Sequence, residues 1–217
     1  MLNNIIGLIL TAPAILFALT VHEVAHGWVA NRLGDPTAKL AGRLTLNPIK
    51  HIDIIGILCM FIFRFGWAKP VPVNSLYLKN PKRDIIFVSL AGPAVNFLSG
   101  IIFSLILRGM LAANFRATVF PFYAIVIYAV LYNFVFGIFN LIPIPPLDGS
   151  QILYHLLPAS WAQGYAQVAR YGMFFLLGII LLGTFTGFSL LWSWIGPTIG
   201  FLTKVFVGEN IFQVFHL

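Results

Sequence analysis

Long apolar runs, broken by a few compact polar clusters, organise this chain. The first run covers residues 5–33, enough helix to cross the roughly 30 Å hydrocarbon layer of a bilayer. It is apolar as far as Thr20, then carries His22, Glu23 and His26, and stops at Gly34-Asp35-Pro36. Residues 84–107 and 121–141 read as a second and a third span, and residues 167–184 and 189–205 as a fourth and a fifth, with Gly187 between the last two. The interval 37–83 has another texture, in which short β-prone pieces alternate with Gly, Pro and Asn. Its apolar run at 53–65 is too short to span as a helix and reads as a re-entrant or interfacial segment. Trp67, Ala68, Lys69, Pro70, Val71, Pro72 and Val73 follow, and the prolines demote them to an edge strand or extended loop. The third span runs into Asn140-Leu141-Ile142-Pro143-Ile144-Pro145-Pro146-Leu147-Asp148-Gly149, where the prolines forbid a regular helix. A short helix is expected after it, over residues 149–156. The expected fold is an all-α polytopic membrane protein: about five transmembrane helices plus a re-entrant, β-like segment between the first two. It is read as one domain, 1–217, with a core over residues 5–156 and C-terminal spans over residues 167–207.

Composition supports that class. Charged residues make up 9% of the chain and hydrophobic ones 59%, against about 25% charged in soluble domains. A net charge of +7 would suit a nucleic-acid partner, but its placement argues against one. Nine of the thirteen Lys and Arg fall, scattered, between Arg32 and Arg83, flanked by apolar runs. That is the positive-inside signature of a cytoplasmic region. The N-terminus is then expected outside and the C-terminus in the cytoplasm. No Lys or Arg precedes Arg32, so the first run lacks the basic start of a signal peptide and is expected to be retained. A single cysteine, Cys59, excludes an intrachain disulfide and a Cys-based zinc site.

With six acidic residues in the whole chain, those placed in or beside apolar runs are functional candidates by default, because an ionisable group in a span is costly. His22 and His26 stand four apart, about one helical turn, so both imidazoles project from one face. They can supply two corners of a tetrahedral zinc site. Glu23 points about 100° away around the helix; it does not join the ligand set but can reach a water at an open position, the arrangement of the H-E-x-x-H hydrolases. A third ligand is required, and the candidates are His51, His155, His216 and Asp148. Asp148 is preferred, because irregular backbone at membrane depth is expected where it lines a cavity. Its other reading is an N-cap for the short helix.

These motifs together resemble the site-2 proteases, a family of intramembrane zinc metalloproteases. His22-Glu23-Val24-Ala25-His26 matches the first signature; Asn140, Pro143, Pro145, Asp148 and Gly149 match the second, Asn-x-x-Pro-x-Pro-x-x-Asp-Gly. Gly92-Pro93 with Asn96 is similar to the family's Gly-Pro-x-x-Asn element. Leu46-Asn47-Pro48, Asp53, Gly56 and the stretch Trp67 to Asn74 resemble the compact subgroup without a PDZ insertion. The resemblance implies one Zn2+ per chain held by His22, His26 and Asp148, Glu23 as catalytic base, and a three-span catalytic core. It also implies a transmembrane protein as substrate and a bacterial plasma membrane as location, with the site near the cytoplasmic side. Asn96 and Asn140 resemble polar residues near the catalytic centre; their other reading is interhelical hydrogen bonding. The extended stretch of Lys69, Pro70, Val71, Pro72, Val73 and Asn74 is a candidate strand partner for an unwound substrate, or else a surface loop. A metal transporter or sensor is the rival function, although transporters usually show internal repeats and midplane sites, and no repeat is visible here.

Overall fold

A computed structural model describes residues 2–63, 66–115 and 120–214. Among the described residues there are ten α-helices and no strand: α1 (Leu2–Leu33), α2 (Thr37–Leu40), α3 (Ile54–Phe63), α4 (Pro81–Ala112), α5 (Phe120–Asn140), α6 (Asp148–Leu156), α7 (Ala159–Ala169), α8 (Gly172–Thr186), α9 (Leu190–Phe206) and α10 (Ile211–Val214). Single 3-10 turns sit at Pro48–His51 and Ser75–Tyr77. His216 and residues 64 and 65, which the sequence reading placed in the tail and at the end of the apolar run, lie outside the described residues.

Three helices, α1, α4 and α5, are long and apolar enough to cross a membrane, and the pair α7 and α8, bent by 56° at their junction, passes the same test together. The fourth and fifth expected spans therefore appear as shorter pieces: α8 has 15 residues and α9 has 17. The expected β-like segment is also altered. Residues 66–74 carry no regular secondary structure, because Pro70 and Pro72 have no N–H to give to a ladder.

Local sequence explains the ends that matter. α1 stops where Gly34 takes a positive φ of 117°, and the Asp35 N–H returns to the Ala30 carbonyl at 2.9 Å, the closing bond of a Schellman turn. α4 starts with Pro81 in its first turn, and the fully buried Asp84 carboxylate reaches back to the Asn80 N–H at 2.8 Å. The Lys79 N–H then donates to Leu33 O at 3.4 Å, which sets the end of α1 beside the start of α4. His22 lies eleven residues from Leu33 and Gly92 eleven from Pro81. At 1.5 Å per residue, both are about 16 Å along their helices from that shared end.

α1, α4 and α5 pack on one another, and α6 lies against α4. Lipid offers helices no hydrophobic drive to associate, so close backbone approach at small residues matters. At Gly100 of α4, an added Cβ would come 2.7 Å from the Phe134 ring of α5. An apolar cluster built on Leu107, Val130, Phe134, Ile199 and Ile211 joins α4 and α5 to α9 and α10. Phe174, Phe185, Trp194 and Phe201 face outward, as suits a lipid-facing surface and not a water-facing one.

Candidate metal centre

Two imidazoles and one carboxylate meet in the cleft between α1, α4 and the start of α6. His22 Nε2 lies 3.0 Å from His26 Nε2, and Asp148 Oδ2 lies 3.1 Å and 3.3 Å from the two. The ligand atoms of all three lie within 4.8 Å of one another, close enough to hold one metal ion. His22 and His26 meet here through the i, i+4 spacing on α1. Asp148 arrives from the other end of the chain on a proline-rich turn that includes a cis Pro145–Pro146 bond. It is not an N-cap: Leu147 holds that position without a side-chain cap bond, and Asp148 is the first residue of α6.

Hydrogen bonding decides which atoms face the centre. His22 Nδ1 lies 2.6 Å from Asn96 Oδ1, and His26 Nδ1 lies 2.7 Å from the Val88 carbonyl. Asn96 Nδ2 donates to Ala18 O at 3.0 Å and to Asn133 Oδ1 at 3.1 Å, so its amide cannot be flipped and its Oδ1 must be the atom toward His22. Both Nδ1 atoms are then donors, which turns both Nε2 atoms toward the centre. Asp148 Oδ2 is buried and has no hydrogen-bond partner. Two imidazole nitrogens and an unpartnered carboxylate oxygen converge there, a donor set that fits one shared cation.

Helix α4 provides the floor. A Cβ at Gly92 would stand 2.6 Å from His22 Cε1 and 2.7 Å from His22 Nε2, and closer still to His26 Nε2. The space a metal needs is therefore the space a side chain is denied. Just over one turn before Pro93, the Val88 carbonyl accepts from His26.

Glu23 stands outside the group of three. Its Oε2 accepts from the Val71 N–H at 2.8 Å, which brings the extended segment over the cleft. That segment is tied at three further places: Lys69 N–H to His51 O at 2.9 Å, Lys69 O to Arg43 Nη2 at 2.7 Å, and Asn74 N–H to the buried Asp35 Oδ2 at 2.6 Å. Of the two asparagines singled out by sequence, Asn96 touches His22, whereas Asn140 donates to Phe136 O of its own helix at 3.1 Å. His51 bonds the Thr45 carbonyl at 2.9 Å and His155 the Gln151 carbonyl at 2.8 Å; neither joins the cluster. Sequence reasoning passed over Asn133, although a polar residue in an apolar span is a signal in itself.

Comparison with known proteins points the same way. Residues 111–183 match Peptidase family M50. A Bacillus subtilis protein named "Putative zinc metalloprotease YwhC" is 38% identical over 205 residues, covering 92% of this chain and 90% of the relative. The Mycobacterium tuberculosis "Putative zinc metalloprotease Rip2" is 30% identical over 182 residues, 79% of this chain and 66% of the relative. "Zinc metalloprotease MJ0392" of Methanocaldococcus jannaschii is 26% identical over 169 residues, 78% of this chain and 40% of the relative. No solved structure matches.

Proposed function

Since the chain belongs to peptidase family M50, the site-2 protease family of zinc metalloproteases, we propose that it cuts transmembrane segments of other membrane proteins within the bilayer. In this reading His22, His26 and Asp148 hold the zinc and Glu23 is the base. The observation that carries it is the convergence of Asp148 with His22 and His26, two imidazoles that sit within a membrane-crossing helix, His22 about 16 Å from its end. Zinc held there supplies Lewis-acid activation of water and of the scissile carbonyl. The chain's own part is positioning and proton transfer. Asn96 and Val88 fix the two imidazoles from behind, and Glu23 takes the proton of the attacking water and returns it to the leaving amine nitrogen.

Support for a substrate dock comes from the parity of the bonds along the extended segment. In an extended chain, alternate residues turn their N–H and C=O groups to the same edge. The edge of Lys69 and Val71 is spent on His51, Arg43 and Glu23. The other edge belongs to Pro70 and Pro72, which offer carbonyls and no N–H, and to Asn74 at its end, whose N–H is held by Asp35. An unwound substrate docking there donates its own amides to those carbonyls.

The topology proposed is five spans, with α7–α8 as a bent fourth and α9 as the fifth, and α3 as a segment dipping into one leaflet. Ten residues of α3 are about 15 Å of helix, half a bilayer. The basic residues around the adjoining ends of α1 and α4 support a cytoplasmic position for that end, with the N-terminus outside, the C-terminus inside, and a bacterial plasma membrane as the location.

The test is cleavage of single-span proteins in proteoliposomes, with fragment ends mapped by mass spectrometry. The cut is expected inside the apolar segment, abolished by chelation, and lost when the substrate amides facing Pro70 and Pro72 are N-methylated. Cuts confined to water-exposed loops, or metal flux without cleavage, would refute the reading. Asp148→Ala is expected to lose stoichiometric zinc while staying monodisperse in detergent; unchanged zinc per chain would send the search to another third ligand.

A further inference from the structure

We infer that Asn133, on α5, is a positioning residue for the metal centre: through Asn96 it selects the His22 tautomer that can bind metal. Asn133 lies outside both signature motifs, yet it and Asn96 are each 0% exposed in the middle of the three-helix core. A buried amide with a free choice of orientation would settle nothing, and here each orientation is dictated by the next. Asn133 Nδ2 donates to the Ala129 carbonyl of its own helix at 2.8 Å, which leaves Oδ1 as its outward atom. That oxygen accepts from Asn96 Nδ2, whose second hydrogen goes to Ala18 O on α1. Asn96 Oδ1 is thereby the acceptor facing His22 Nδ1, Nδ1 carries the hydrogen, and Nε2 is free to ligate. Donation runs one way, from His22 on α1 through Asn96 on α4 to Asn133 on α5. Without Asn133, the Asn96 hydrogen that it accepts is left unsatisfied, and a flipped Asn96 would present its NH2 to His22 and favour the other tautomer. Partners that orient metal-bound histidines in this way are typically worth 10–100-fold in metal affinity.

The inference rests on His22 being a ligand, so the experiment separates the two. Zinc affinity and the 15N signals of His22 are measured in the full-length chain in detergent, the latter also without metal. Variants are Asn133→Leu, Asn133→Ser and Asn133→Asp, with His22→Ala as the ligand control. Serine satisfies its own hydroxyl on the helix carbonyl and falls short of Asn96, so it keeps the chain folded if leucine does not. Aspartate, protonated in this apolar setting, repeats the asparagine pattern: O–H to Ala129, C=O to Asn96. Leucine and serine are expected to weaken zinc binding at least tenfold and to split the metal-free His22 signals between two tautomers, with aspartate restoring both readouts. Wild-type affinity and a single tautomer in leucine and serine would overturn the inference. So would aspartate failing as leucine does, which would leave Asn133 a packing role alone. Unchanged zinc binding in His22→Ala would instead strike the ligand assignment, and the metal-free signals would still report on Asn133.

Discussion

Glu23→Gln is expected to retain one zinc per chain and to lose cleavage of a membrane substrate by about 10²- to 10⁴-fold, the usual contribution of a positioned general base. Retention follows from geometry. Glu23 stands outside the group of His22, His26 and Asp148, and glutamine keeps a carbonyl oxygen where Glu23 Oε2 accepts the Val71 N–H. The extended segment therefore stays tied over the cleft, and the substitution removes the ability to take a proton with little else. Zinc by elemental analysis and the rate on a reconstituted single-span substrate are the two measurements. Activity within tenfold of wild type would remove Glu23 from the role of base. Loss of zinc together with activity would mean that Glu23 supports the metal.

The metal centre was legible in the sequence where covalent spacing alone decides geometry. His22 and His26 face the same way because one helical turn separates them. Asp148 stood out as an acidic residue beside an apolar run, on a backbone that three prolines keep irregular. What spacing does not contain is the register between helices. Asn140 and Asn133 are seven residues apart on α5, two turns, and so share a face. Sequence favoured Asn140 for its place in the proline motif. The structure puts Asn133 at the depth of Asn96, with Asn140 about 10 Å nearer the helix end. The Val88 carbonyl was invisible for a similar reason: a backbone acceptor is chosen by how α1 sits against α4, not by the side chain at Val88. The α7–α8 bend at residues 169–172 was not legible, because hydropathy does not register a bend.

Gly92→Ala gives the sharpest test of that interhelical geometry, because a single methyl group is asked to displace the metal. Its carbon would stand 2.7 Å from His22 Nε2 and nearer to His26 Nε2, while zinc sits about 2.0–2.1 Å from its nitrogen ligands; both claims on the space cannot be met. The imidazoles have little room to give way. His22 is held at Nδ1 by Asn96 and His26 by Val88, at 2.6 Å and 2.7 Å, and rotating either ring breaks a buried hydrogen bond. Intrinsic helix preference pulls the other way, since alanine favours a helix interior over glycine by about 1 kcal/mol, so a loss of zinc would not reflect a weakened α4 backbone. Zinc content is expected to fall from one per chain to a small residue, with cleavage abolished and the protein still monodisperse. Gly100→Ala is the control: two turns further along α4 it crowds the Phe134 ring at 2.7 Å, tests the same helix interface away from the ligands, and is expected to keep its zinc. If Gly92→Ala also keeps a full zinc, the ion lies elsewhere than between His22, His26 and Asp148, because the structure leaves no second position there for both the methyl group and the metal.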